Sequence, residues 1–398
     1  MPETLRREMG LGGAIVTGLG SILGTGAFVA IGVASGMWGD AVLAAIPIAG
    51  MVAVFNGLSS AFLAGRFPVA GGTYEYGYET LGSWWGFTAG WLFLAAKTAS
   101  AATAALGVAL YSGIPGDRRV IAVIAVGLVT GLVLSGLKRT IVINTLLVAL
   151  TVIALVTYGF AGLQAGPIGP ISSATFGSGL LPAVAFLFVA YTGYGRIATL
   201  GEEVRSPEHT IPKAVIATLV VAVLLYGIVA LGGRALGGEF WGSGFDEGIS
   251  LADLVSNPYA PVVAVGAVTA MLGVLVNLVL GLSRVWLAMG RRGDMPGALS
   301  RLDARATPVN AIVVGAVPIV LIAMVGEISI VWSFSAFTVL LYYGITNLSA
   351  LALDRRRWTA WVGLASCVSL SFFVPLAVWL AGAGLIGIGL VWKRQRRA

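Results

Sequence analysis

Long apolar runs constrain this chain more than any other feature. A helix needs roughly 20 apolar residues to cross the hydrocarbon core of a bilayer. Twelve such runs can be read, at about 12–37, 41–65, 81–113, 119–137, 140–163, 179–200, 212–235, 258–289, 309–326, 328–353, 358–374 and 375–392. The last two share one apolar stretch, in which Pro375 is the expected break. The runs are continuous, without alternation of apolar and polar residues, so they read as helices and not as strands of a barrel. Charged residues are only 10% of the chain, against about 25% in a soluble domain. That leaves no polar coat for a water-facing surface. A soluble enzyme, a nucleic-acid binder and a disulfide scaffold are all excluded. The single cysteine, Cys367, permits no intrachain disulfide. No cleavable signal peptide is expected, since the charged start leads into a run too long for one.

The charges give the orientation. With the N-terminus inside, 19 of the 24 basic residues fall at cytoplasmic ends and loops, including Arg66, Arg292, Arg355, Arg356, Arg357 and Lys393. Three, Arg118, Arg119 and Arg234, fall outside, and Lys97 and Arg196 lie within spans. This asymmetry is the positive-inside rule, and it predicts a multi-pass protein of the cytoplasmic membrane with both termini in the cytoplasm. The net charge of +7 is thus an orientation signal and a contact for anionic lipid, not a mark of nucleic-acid binding. No loop is long enough for a soluble domain, so residues 1–398 read as one transmembrane domain.

Two clusters of small residues stand out from the general abundance of glycine. One is Gly20-Ser21-Ile22-Leu23-Gly24-Thr25-Gly26 in the first span, and the other is Tyr191-Thr192-Gly193-Tyr194-Gly195-Arg196 in the sixth. Each alone reads as a close-packing surface. They lie five spans apart, so the two halves have opposite orientation, as an inverted repeat requires. The third span of each half is also unusually long. Interrupted segments at matching positions in two halves point to a transporter's binding site.

At these residues the sequence resembles the amino acid–polyamine–organocation permeases. Their first-helix motif is matched by Gly20 to Phe28, and their loop between helices 2 and 3 by Arg66-Phe67-Pro68-Val69-Ala70-Gly71-Gly72-Thr73-Tyr74-Glu75-Tyr76. Their sixth helix and its exit are matched by Ala190 to Tyr194, Gly201-Glu202-Glu203-Val204-Arg205-Ser206-Pro207 and Ile211-Pro212-Lys213-Ala214, and the start of helix 9 by Thr307-Pro308-Val309-Asn310-Ala311. The resemblance implies an all-α membrane protein with a LeuT-like five-plus-five inverted repeat. The repeats would span about 10–165 and 177–355, with helices 1 and 6 interrupted. Two additional helices, at about 358–392, complete the twelve. It also implies amino acid transport by alternating access. By motif position, the substrate carboxylate would meet backbone N–H groups at Gly24, Thr25 and Gly26. The ammonium would meet carbonyls of Ile22, Val189 and Thr192, with Tyr191, Gly193 and Arg196 beside them. Gly26→Leu should then block transport and leave the fold intact. Relatives often carry a lysine in helix 5 where this chain has Thr151, and an acid after Gly193-Tyr194 where it has Gly195.

The two charges inside spans each cost about 2.5–3.5 kcal/mol or more on insertion, and such residues are functional or paired. Arg196 reads equally as a cap for the loose carbonyls of a broken helix and as a substrate contact. Lys97 is the better coupling candidate, because a lysine can release its proton and an arginine cannot. It is expected near Thr151, between helices 1 and 8, in place of a structural cation. Tyr194, Glu202 and Glu203 are gate candidates. Glu75 and Glu79 are expected to pair with loop arginines, His209 to sit on the surface, and Asn144, Asn277 and Asn347 to tie helices together.

The reading that results is a secondary transporter of neutral amino acids, sodium-independent and proton-coupled. The alternative is an exchanger or facilitator for anionic or other small amine and carboxylate substrates. A non-transporting membrane sensor is more distant. Two buried cations disfavour a polyamine. A membrane-embedded enzyme would need a base beside a nucleophile, paired acids or a metal site, and no such constellation is visible. No catalytic residue, metal site or cofactor is expected, and the oligomeric state is not legible. The expected partners are the amino acid substrate, protons and the lipid bilayer.

Overall fold

Nine helices among the described residues of the computed structural model are long and apolar enough to cross a membrane. Those residues are 9–67, 71–166, 177–198, 204–237, 251–303 and 307–396. They form helices throughout, and among them no strand forms; one parallel bridge joins Met9 to Val204. In lipid the backbone must satisfy its own polar groups, and an apolar run does so as a helix.

The chain opens with α1 (Leu11–Ile22), a π-helical turn (Gly26–Ala30) and α2 (Ile31–Trp38), followed by α3 (Ala41–Arg66). A short helix, α4 (Thr73–Leu81), precedes α5 (Ser83–Tyr111), α6 (Arg118–Leu134) and α7 (Leu137–Gln164). Next come α8 (Leu180–Tyr191), a 3₁₀ turn (Thr192–Tyr194), α9 (Gly195–Ala198) and α10 (Pro207–Gly237). The remainder is α11 (Tyr259–Arg291), α12 (Val309–Val325), α13 (Ile328–Leu353), α14 (Trp358–Ser371) and α15 (Leu376–Gln395). Two of the nine are composite stretches, Leu11–Trp38 and Leu180–Ile197, that run through the turns after α1 and α8, and the apolar helices α12 and α14 are shorter than any of the nine spans. Helix α15 begins directly after Pro375, whose ring cannot continue α14.

Burial sorts these helices into centre and rim. The most apolar window of α5 is 94% buried and that of α15 only 22%, so α5 is central while α15 turns most of its surface outward. Helix α5 packs against α4, α11 and α13, and α11 packs along α7.

Helix α4 includes Thr73–Tyr76, which the resemblance assigns to the loop between helices 2 and 3. It is set off by Gly72 at φ 58° and Gly82 at φ 98°, backbone geometry that a Cβ disfavours. Its side chains bind the connection after α11. Arg292 donates to Glu75 at 2.5 Å and to Glu79 at 2.8 Å, the pairing expected for these acids. Its hydrogen bond to the Glu75 carboxylate raises the proton affinity of Arg292. Asp294 accepts from Tyr74 at 2.9 Å, from Tyr78, and from Lys393 of α15. Burial, with Asp294 beside them, holds the Tyr74 and Tyr78 phenols protonated, so both remain donors. On another face, Arg234 donates to Asp40 at 2.8 Å. His209 is exposed, as expected.

Candidate substrate site

Helical bonding changes character at both small-residue clusters. After Ile22 comes a turn at Leu23–Gly24, and the Gly24 carbonyl accepts from both Ala27 (3.0 Å) and Phe28 (3.1 Å). After Tyr191 the chain tightens into the 3₁₀ turn. The two clusters approach closely at Gly193, where an added Cβ would run into the Ser21 carbonyl. Only glycine permits that approach.

Carbonyls at these turns are held by hydroxyls from other helices. Tyr226 of α10 directs its OH at the Ile22 carbonyl (2.7 Å) and the Ala190 carbonyl (3.0 Å). Tyr343 of α13 donates to the Thr192 carbonyl at 3.2 Å, and the Thr192 hydroxyl donates to the Val189 carbonyl at 2.8 Å. The Val189 carbonyl also accepts the Thr192 backbone N–H, and the Thr192 carbonyl also accepts the Gly195 backbone N–H, so both lone pairs of each are engaged.

A cavity of about 60 Å³ opens beside the turns. Of the residues expected in a site, Ile22, Thr25, Gly26, Lys97, Val189, Thr192, Gly193 and Arg196 line it. The others expected there do not. Gly24 faces α11, where an added Cβ would lie 2.9 Å from the Ala270 carbonyl. Tyr191 donates to the Ile46 carbonyl of α3 at 3.0 Å, and Tyr194 lies against Tyr343 with ring centroids 5.2 Å apart. Thr151 donates to the Leu147 carbonyl of its own helix at 2.8 Å. Glu202 and Glu203 lie outside the described residues.

Lys97 is 7% exposed, and its ammonium donates to the Thr192 hydroxyl at 3.0 Å. The expected partnership with Thr151 is therefore replaced by one with the turn after α8. Lys97 has no ion pair among the described residues, and no carboxylate lines the cavity there. Thr25 presents a buried hydroxyl with no hydrogen-bond partner among the described residues. The rest of the wall is mostly apolar, with Phe93, Val274, Leu278 and Trp332.

Several lining residues were missed in the sequence. Asn277 of α11 donates to Asn144 of α7 (2.8 Å) and to the Gly20 carbonyl (3.3 Å), so it ties helices, as expected, and also faces the cavity. Ser100 also lines the cavity and pairs with Ser335 at 2.7 Å. Trp332 is fixed by its indole N–H, which donates to the Phe186 carbonyl at 2.9 Å. Asn347 binds Asn56 at 2.6 Å, again between helices.

Comparison with known proteins supplies the family. The amino acid permease family matches residues 13–393. An uncharacterized transporter of Mycobacterium tuberculosis is 39% identical over all of this chain and 93% of its own length. The branched-chain amino acid permease BcaP of Bacillus subtilis is 27% identical over 76% of this chain and 71% of its own. The mitochondrial cationic amino acid transporter 3 of Arabidopsis thaliana is 26% identical over 79% of this chain and 57% of its own. These relatives are transporters and not enzymes. A match over almost its whole length shows that this chain belongs to the amino acid permease family.

Proposed function

We propose that this permease carries neutral amino acids across the cytoplasmic membrane by alternating access, without sodium. The observation that carries the reading is the cavity between the turns after α1 and α8, with Lys97 bonded to Thr192. A zwitterion suits this place. Its carboxylate would lie near the Thr25 hydroxyl and the N–H groups that begin the π-helical segment, the positive end of a helix. Its ammonium would share the Ile22, Val189 and Thr192 carbonyls with the donors they already hold. The apolar wall would take an uncharged side chain, in keeping with the name of the branched-chain relative. Within the cavity a buried ammonium repels Na⁺, and Lys97 would carry the coupled proton.

In this reading the chain is one domain of twelve transmembrane helices. Its inverted repeats cover about 10–165 and 177–355, helices 1 and 6 are interrupted, and two helices follow at about 358–392. Both termini face the cytoplasm. Tyr194, Glu202 and Glu203 would serve an inner gate. The second reading, an exchanger for anionic amino acids, is favoured by one observation: Lys97 lines the cavity with no ion pair among the described residues.

A thermal-shift screen of the purified protein over the common amino acids tests the reading. Stabilisation by neutral amino acids supports it. Stabilisation by glutamate and aspartate alone moves the assignment to the second reading. No response to any amino acid contradicts both.

A further inference from the structure

Two guanidinium groups share one aromatic ring where α3 ends and α14 begins. The Arg357 Cζ lies 3.7 Å from the centroid of Phe62, and the Arg66 Cζ lies 5.3 Å from the same centroid. Neither arginine forms an ion pair among the described residues, and the Arg357 Nε is buried without a hydrogen-bond partner there. Burial lowers the proton affinity of Arg357, Asp354 raises it and Arg66 lowers it again, as expected where like charges crowd together. Arg355 and Arg356 add two exposed cations beside them. Asp354 attracts Arg357 but forms no ion pair with it among the described residues. Asp354 accepts from the Arg356 backbone N–H at 3.1 Å.

The backbone points the same way. Helix α14 has 14 residues and begins after Arg357 with no side-chain cap. Its first N–H groups lack intrahelical acceptors, and three arginines crowd the positive end of its dipole. An anion at that point would relieve both problems. The flank is aromatic and open: Trp358 is 65% exposed and Trp361 is 55% exposed. Trp361 turns its indole N–H back to the Arg355 carbonyl at 3.2 Å, which leaves its ring outward. Outward rings with inward polar atoms are the pattern of a membrane–water boundary.

We propose that Arg66, Arg357 and the start of α14 form a binding site for the phosphate of an anionic phospholipid, with Trp358 and Trp361 against its glycerol and upper acyl region. Guanidinium groups suit phosphate because they present paired donors in a plane. The charge asymmetry of the chain puts this site in the cytoplasmic leaflet, so its location rests on the orientation proposed above, whereas binding itself does not.

The test is thermal stability and native mass spectrometry of the detergent-purified full chain, titrated with phosphatidylglycerol, phosphatidylcholine or inorganic phosphate. Phosphatidylglycerol is expected to stabilise and to stay bound in preference to phosphatidylcholine. Arg66→Gln with Arg357→Gln should cut that preference roughly 30-fold, the size of two arginine–headgroup contacts. Arg396→Gln, which removes an exposed arginine over Trp392 elsewhere, should leave it unchanged. Size-exclusion and far-UV circular dichroism identify a variant that is misfolded, in which case Arg357→Lys replaces the double variant and should weaken the preference. Equal response to both lipids, or full preference in the folded variants, overturns the proposal. Stabilisation by inorganic phosphate to the same degree would mean a soluble-anion site and would overturn the lipid assignment. None of these arms uses an amino acid, so they are independent of the transport reading.

Discussion

Lys97 donates to the hydroxyl of Thr192 at 3.0 Å, which links the most buried helix, α5, to the turn that ends α8. A charge in this place costs energy that the fold tolerates only with a partner or a purpose. Lys97→Met is expected to lower transport about tenfold or more, about 1.4 kcal/mol in transition-state terms. If Lys97 carries the proton, the variant will also lose the pH dependence of uptake. Lys97→Arg will not restore it, because an arginine stays charged. Initial uptake rates across a pH series check both. An unchanged profile in Lys97→Met leaves Lys97 as a structural charge.

Gly193→Ala tests the close approach of the two turns. The new Cβ would meet the Ser21 carbonyl, so α1 and α8 must separate. Transport should be lost, with a lowered melting temperature. The expectation that Gly26→Leu leaves the fold intact is revised by its surroundings. A Cβ at Gly26 would lie 2.5 Å from the Tyr226 hydroxyl and 2.6 Å from the Ala190 Cβ, so leucine disturbs packing as well as the cavity. Thermal unfolding of both variants should show this loss. A Gly193→Ala protein with normal stability and uptake would refute the tight junction.

Asn277→Leu removes the donor that serves Asn144 and the Gly20 carbonyl. Hydrogen bonds between helices in membranes average about 0.6 kcal/mol and reach about 1.7. The expected result is a stability loss in that range, read in a denaturation titration, together with weaker substrate affinity because Asn277 also faces the cavity. Asn144→Ala should match the stability loss and spare more of the affinity. Equal effects on affinity would contradict a direct part for Asn277.

Some of this structure was legible in the sequence, for identifiable reasons. Helix α13 runs from Ile328 to Leu353, the range its apolar run predicts, because Glu327 and Asp354 flank it and a charge marks where a span can stop. The long helices α5 and α11 follow from apolar runs of matching length. Helix α4 was missed because Thr73–Leu81 is polar and short, and it forms where Gly72, Gly82 and the Arg292 pairs hold it. Within the cavity, glycines and hydroxyls close in sequence could be found as a cluster. Tyr226 could not, since its bonds to Ile22 and Ala190 span 204 and 36 residues and a single tyrosine in an apolar run carries no local signal. The same limit misplaced Lys97. Depth along a helix can be read from sequence, but the neighbour it faces cannot.

Lys393→Met tests the pair that anchors α15. Lys393 and Asp294 are both nearly buried, with side-chain exposures of 6% and 5%. Removing one partner of a buried pair leaves the other uncompensated, at a cost of about 3–5 kcal/mol. Tyr74 and Tyr78 still donate to Asp294, so the low end is expected. Adding Asp294→Asn should recover part of the loss. A double variant no more stable than Lys393→Met would show that the aspartate was never left uncompensated.

Counterflow in proteoliposomes tests amino acid transport at this cavity most directly. Vesicles loaded with an unlabelled neutral amino acid are diluted into a trace of the labelled one, in sodium-free potassium buffer, with the unmodified protein and with Gly193→Ala. The prediction is transient accumulation of label by the unmodified protein, undiminished without sodium, and none by the variant. A strict requirement for sodium, or equal accumulation by both proteins, would contradict it.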